Sequence, residues 1–335
     1  MVIVKARGTV VRKSSITMIL AACLATLTPA NAQDYPSRPI TLIIPFTAGG
    51  PTDVFGRVMG QRMGEILGQQ IVVQNVGGTG GMLGAARVAN AAPDGYTVLL
   101  GTVGTHAQNQ SLYKKPLYNA ATDFTPVGLA AELPLVLIAH KKLPPNNLKD
   151  FIAYAKANQG KMQYASAGAG SATHLGCVLV NHVIGTNITH VPYPGTAPAM
   201  SDLIAGRVDF LCDIITTAKP QIEGDAVKAI AILTKTRSPA LPNVPTTAEQ
   251  GTPALEAYTW NAFFLPKNAP ANIVQKLNGA MVQAMKTPAV RQRLEGLGAV
   301  FVSDDRTTPA YLGQFVRDEI AKWAAPIKAA GISAD

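Results

Sequence analysis

With 335 residues the chain is long enough for two domains of ordinary size, each with its own core. Hydrophobic residues make up 47% and charged residues 15%, a balance that excludes a disordered chain. The formal net charge is +9, yet beyond residue 32 only Lys114-Lys115 and Lys141-Lys142 set basic residues side by side. That pattern reads as a mildly basic surface that draws anions weakly, not as a nucleic-acid footprint.

The first 32 residues predict a secretion signal. Lys5, Arg7, Arg12 and Lys13 form a basic start, Ile16 to Leu27 is apolar, and Pro29-Ala30-Asn31-Ala32 offers an A-x-A cleavage site before Gln33. Leu20-Ala21-Ala22-Cys23 also fits a lipobox that would anchor the chain through Cys23. The apolar run continues past Cys23 to a helix-breaking proline, which favours the A-x-A site. Under both readings the protein is exported; the periplasm is the compartment expected. The four basic residues account for four of the nine net charges, leaving +5 on residues 33–335. Cys177 and Cys212 then remain, compatible with one disulfide or with two small buried thiols.

In chain order, Ile40 to Phe46 is too continuously apolar for a half-exposed strand and suits a sheet covered on both faces. Thr47-Ala48-Gly49-Gly50 is a Gly-rich loop, and Pro51, Thr52 and Asp53 open a helix that stops at Gly68. Free N–H groups and the positive end of the helix dipole make this a seat for an anion; the same residues also fit an ordinary tight turn. A strand at Gln70 to Gln74, a Gly cluster at Gly77 to Gly81, a helix from Met82 to Asn90 and a strand at Tyr96 to Leu100 follow. That alternation argues for a parallel α/β sheet. The Gly cluster is not a dinucleotide fingerprint, because Leu83 stands where the third glycine belongs.

Phe124 to Lys142 is extended and apolar and reads as a crossing to a second domain. There, helices at Leu148 to Asn158, Ala197 to Gly206 and Thr217 to Gly224 alternate with strands at Gln163 to Ser166, Ile188 to Pro192, Val208 to Cys212 and Val227 to Leu233. Another helix starts near Ser171. Ala257 to Leu265 brings the chain back, and helices at Ala271 to Met285, Pro288 to Gly296 and Pro309 to Ala329 complete it. Two crossings imply a hinge between two α/β lobes, and therefore a cleft.

The loop Tyr164 to His174 mirrors the first Gly loop on the opposite lobe, with Ser171 as a helix N-cap. Tyr193 and Thr196 sit in a Pro/Gly-rich loop, and Asp213 lies just past a strand, where α/β sheets bind ligands. Ser166 or Ser171 with His174 and Asp213 are the residue types of a serine hydrolase, but no G-x-S-x-G elbow carries them. The five histidines show no metal-ligand spacing, so no metal is expected.

Five stretches in order carry a family resemblance: YPSRPITLIIPFTAGGPTD (Tyr35 to Asp53), GGTGGMLGAARVANAAPDGYTVLL (Gly77 to Leu100), YASAGAGSATH (Tyr164 to His174), HVPYPGTAPAMSDLIAGRVD (His190 to Asp209) and WNAFFLPKNAP (Trp260 to Pro270). Together they resemble the periplasmic solute receptors of tripartite tricarboxylate transporters, the Bug family, over nearly all of residues 35–330. The resemblance implies a two-lobed, type II periplasmic-binding-protein fold of α/β class with a hinged ligand cleft. Lobe 1 would take residues 33–135 and 258–335, and lobe 2 residues 136–257.

It further implies a receptor for a small organic acid, with no cofactor and no catalysis, acting as a monomer beside a two-component membrane permease or a sensor ectodomain. Phe46, Ala48, Gly49, Thr52 and Asp53 would hold a ligand carboxylate, with Thr102 and His106 also lining the site. The opposite lobe would add Ser166, Gly170, Ser171 and His174, while Tyr193, Thr196 and Asp213 select the far end of the ligand. Thr47-Ala48 departs from the Pro-rich form common before Gly-Gly in that family, a change expected to adjust the pocket floor.

Overall fold

The computed structural model describes residues 1–5, 34–329 and 331–334. The apolar part of the expected secretion signal, its cleavage site and Cys23 lie outside them. Among the described residues no helix is long and apolar enough to cross a membrane.

The strands are β1 (Ile40–Ile44), β2 (Ile71–Asn75), β3 (Thr97–Thr102), β4 (Phe124–His140), β5 (Gln163–Ser166), β6 (Thr189–Pro192), β7 (Phe210–Ile214), β8 (Val227–Ile232), β9 (Tyr258–Pro266) and β10 (Val300–Phe301). They lie in the order β2-β1-β3-β9-β4-β7-β5-β6, with β8 and β10 both pairing β4 off that path. β1 is parallel to β2 and β3, and β5 is parallel to β6 and β7. The two groups are joined by β9 and β4, which run antiparallel to each other and to their other neighbours. The two crossings expected from sequence are therefore paired strands in the middle of the sheet. β4 carries Pro126 beside a slip of register between Pro126 and Gly128, the kind of irregularity at which a sheet accommodates proline.

Local signals set the element ends. The helix Pro51–Leu67 starts with Pro at its first position and stops at Gly68, whose φ of 69° is left-handed. β3 runs two residues beyond its expected end, because Gly101 lets the His106 ring pack directly on the strand; a Cβ there would lie 2.7 Å from the ring. A π-turn, Gly104–Gln108, follows and buries His106. β7 likewise takes Asp213 into the strand, opposite Val136 of β4.

The core departs from one cluster per lobe. The larger cluster contains Phe55, Trp260 and Phe264 on one side and Phe151 and Phe210 on the other, and a smaller one gathers Val136, Leu203, Leu211 and Ile215. The reason is β4, whose residues Leu135 to Ala139 are at most 1% exposed and alternate between the two clusters, Leu135, Leu137 and Ala139 in the larger and Val136 and Ile138 in the smaller. Cys177 and Cys212 are buried free thiols, with the Cys212 N–H donating to Cys177 Sγ at 3.0 Å.

Candidate functional site

Three helices begin at one cavity. Pro51 and Thr52 open the helix Pro51–Leu67, Ala172 and Thr173 open Ala172–Ile184, and Thr196 opens Thr196–Ile204; all five residues line the same narrow cavity. Phe46, Ala167 and Ile214 form apolar walls, and Thr102, Ser171 and Thr259 complete the lining. A wider trough beside edge strand β2 is shallow and open, and no helix starts there.

The chemistry of this lining is specific. Six of its eleven residues carry a hydroxyl and none carries a charge. Helix N-termini present N–H groups without intrahelical partners and the positive end of the macrodipole. Two of the three helices have glycine N-caps, Gly50 and Gly195, with no side chain to cover those N–H groups. Ser171 caps the third, accepting the His174 N–H at 3.2 Å and donating to the Gly168 carbonyl at 2.7 Å. Thr259 is 1% exposed and its Oγ1 has no partner. Such a cavity suits an anionic group held by neutral donors.

Of the residues singled out from sequence, Phe46, Thr52, Thr102, Ser171 and Thr196 line this cavity. Ala48 and Gly49 lie exposed at its rim, with Gly49 3.7 Å from Ala197 for an added Cβ. Gly170 sits at the contact between the two sides, against Asn109. The others do not line the cavity. Asp53 folds the loop: its carboxylate accepts the Gly49 N–H, Arg57 Nε and Asn75 Nδ2, each at 2.9 Å. Burial pushes this carboxyl up, but those three hydrogen bonds and the Arg57 charge win and hold it below its ordinary range.

His106 is fully buried, stacked 3.8 Å from Phe264. Ser166 is also fully buried and bonds His190 Nε2 at 2.6 Å. His174 stacks on His190 at 4.2 Å and accepts the Gly170 N–H at 3.2 Å. Tyr193 donates to Asp202 at 2.6 Å, along its own lobe. Asp213 has no exposure; Thr217 donates to its Oδ2 at 2.7 Å and its Oδ1 has no partner. Burial raises its pKa to about 7 against the pull of Thr217 and the Ile214 N–H.

The hydrolase arrangement does not assemble, because His174 is engaged by Gly170, Ser171 by Gly168, and Asp213 by Thr217. Thr173 and Thr259 were missed: Thr173 followed an N-cap already recognised, whereas Thr259 lies in a return strand with no loop signal around it.

Burial holds His106 and His174 at about 3 and His190 at about 4, with the His190 neighbour adding to the effect on His174. Below the unperturbed value near 6.5 the unfolded chain takes up these protons and the native chain does not, so stability falls as pH drops toward 4. Asp213 works in the opposite sense, since its native carboxyl protonates first, but one group opposes three. His106→Phe keeps the stack on Phe264 and is expected to flatten the pH 7 to 5 fall in urea-unfolding free energy by up to about 1.4 kcal/mol per pH unit. Equal slopes in both proteins would contradict a neutral buried His106.

The chain is similar to known proteins over most of its length. The family model described as "Tripartite tricarboxylate transporter family receptor" matches residues 55–332. Among solved structures, the periplasmic binding protein BugD superposes with a TM-score of 0.87 at 38% identity, covering 90% of this chain and all of that one. MatC of Rhodopseudomonas palustris with bound malate gives 0.85 at 40% identity, covering 88% and 100%. R. palustris Rpa4515 with adipate gives 0.85 at 36%, covering 90% and 99%. The chain belongs to the tripartite tricarboxylate transporter receptor family, with the fold of the periplasmic binding proteins.

Proposed function

We propose that this chain is a periplasmic solute receptor that binds a small organic acid with one or two carboxylates and releases it unchanged to a two-component membrane permease. Its lobes are residues 33–135 with 258–335, and residues 136–257. The observation that carries this reading is the convergence of three helix N-termini on a hydroxyl-lined cavity without a charged side chain. Neutral donors compensate one or two negative charges. A tricarboxylate would bring further charge with no charged side chain of the lining to meet it. Malate and adipate, the acids bound by the similar MatC and Rpa4515, set the size class.

Thr52, Thr102, Thr196 and Thr259 supply hydroxyls, and the helix starts at Thr52, Thr173 and Thr196 supply N–H groups. Ser171 caps its helix beneath the ligand, Phe46 forms a wall, Ala48 and Gly49 form the mouth, and Gly170 lets the two sides meet. Asp53, His106, Ser166, His174, Tyr193 and Asp213 act from behind by holding loops in place.

Thermal unfolding against a panel of mono-, di- and tricarboxylates tests the reading, since a ligand at 100 times its Kd adds about 2.7 kcal/mol. A selective rise in Tm with short dicarboxylates, the acid recovered intact, is the expected result. A panel without any shift would refute carboxylate binding, and consumption of the acid would refute a receptor.

A further inference from the structure

The two sides of the cleft meet closely at a set of glycines. A Cβ at Gly104 would lie 2.7 Å from the Gly170 carbonyl, and one at Gly77 would lie 3.0 Å from the Pro194 carbonyl. A Cβ at Gly80 would overlap the Ala169 carbonyl, whose oxygen also accepts the Tyr113 hydroxyl at 2.9 Å across the seam. Gly195 is the tightest of these points. A Cβ there would overlap Thr47 Oγ1 and stand 2.9 Å from Thr47 Cβ and 3.0 Å from its backbone nitrogen.

Turning the Thr47 side chain aside would remove only the hydroxyl overlap. Cβ and backbone nitrogen stay too close, so relief requires the lobes to part. Gly195 differs from Gly80 and Gly170 in one useful respect. Its φ of 176° and ψ of 174° are extended backbone open to any residue, whereas Gly80 at 58° and Gly170 at 84° are left-handed. A side chain at Gly195 therefore strains nothing within its own lobe. Thr47 Oγ1 is buried against it and has no partner, so no hydrogen bond holds this contact together.

We propose that Gly195 is the positioning residue that lets the cleft shut, with Thr47 as the surface it closes on. The proposal rests on the receptor reading for its purpose, but its test needs no ligand. Thr196 Cβ lies 3.9 Å from a Cβ built on Gly50, across the seam, close to the roughly 3.8 Å of a disulfide. Gly50→Cys with Thr196→Cys in the full chain thus makes a bond only when the lobes are closed. Mild oxidation, with the bond located by peptide mass mapping, reports closure.

Adding Gly195→Ala is expected to slow cross-linking about tenfold or more. Gly160→Ala, where an added Cβ meets nothing within 4 Å, should leave the rate unchanged. Moving the glycine across the seam, Gly195→Ala with Thr47→Gly, should restore much of it. Unslowed cross-linking in Gly195→Ala overturns the proposal. So does a large loss of Tm in Gly195→Ala without the cysteines, which would make Gly195 a folding residue. Acid binding by the native chain alongside unslowed cross-linking overturns the latch alone, while slowed cross-linking together with no acid binding by the native chain overturns the receptor reading alone.

Discussion

Thr196→Asp is expected to abolish acid binding at little cost to the stability of the ligand-free protein. Thr196 is the first residue of its helix, behind a glycine N-cap, and it faces the cavity. Thr196 is 3% exposed, so a carboxylate there loses hydration, but in a first helical turn the macrodipole and the uncapped N–H groups offset that cost, by up to about 2 kcal/mol in a partly buried geometry. The same carboxylate would stand where the ligand's negative charge belongs. At roughly 4 Å and an effective dielectric near 20, two like charges repel by about 4 kcal/mol, close to a thousandfold in Kd.

Thr196→Val separates charge from hydroxyl: losing one neutral donor should weaken binding by about 1 kcal/mol, roughly fivefold. Calorimetric titration with malate, together with melting of the ligand-free variants, reads both effects. Undiminished binding by the Asp variant would place the acid elsewhere. A clear loss of stability would mean that the helix start is closed by packing and not open to an anion.

Trp260→Ala should cost about 3–5 kcal/mol of stability, the range for emptying a large aromatic site. Trp260 has no exposure and sits in β9, one of the two strands joining the halves of the sheet. Its ring meets Phe315 edge-on at 5.5 Å, and its Nε1–H donates to Glu319 Oε2 at 3.1 Å; both partners are on the helix Pro309–Ala329. Glu319 is 4% exposed and also accepts from Tyr258 at 3.3 Å and Lys322 at 2.9 Å. Removing the indole leaves both a cavity and a buried carboxylate short of one donor.

Trp260→Phe keeps most of the ring and loses the N–H, so a smaller cost of about 1–3 kcal/mol is expected. Urea unfolding measures both. A cost below about 1 kcal/mol for the Ala variant would show that this site collapses freely, against the close packing described.

The elements were legible wherever their signals were local. Pro51 and Gly68 bracket a helix in the sequence as they do in the structure, and Ser171 caps its helix as its type predicts. Periodicity also placed the α/β alternation on both sides of Phe124 to His140. The family resemblance, carried by Gly loops and turn residues at fixed offsets, led to the same fold.

What the sequence by itself determined is therefore the set of α/β elements and the places where helices start. Only the tertiary structure decided which of those starts share a cavity. Asp53, His174 and Asp213 are chemically apt for a site, yet each is drawn into bonds with neighbours of its own lobe. Thr259 carried no signal, because a threonine in a β-strand looks alike whether it faces a core or a cavity. Burial and hydrogen-bond competition arise between segments far apart in the chain, and a short window of residues does not contain them. The same holds for Gly195, which reads as a turn glycine until Thr47 of the opposite lobe is brought against it.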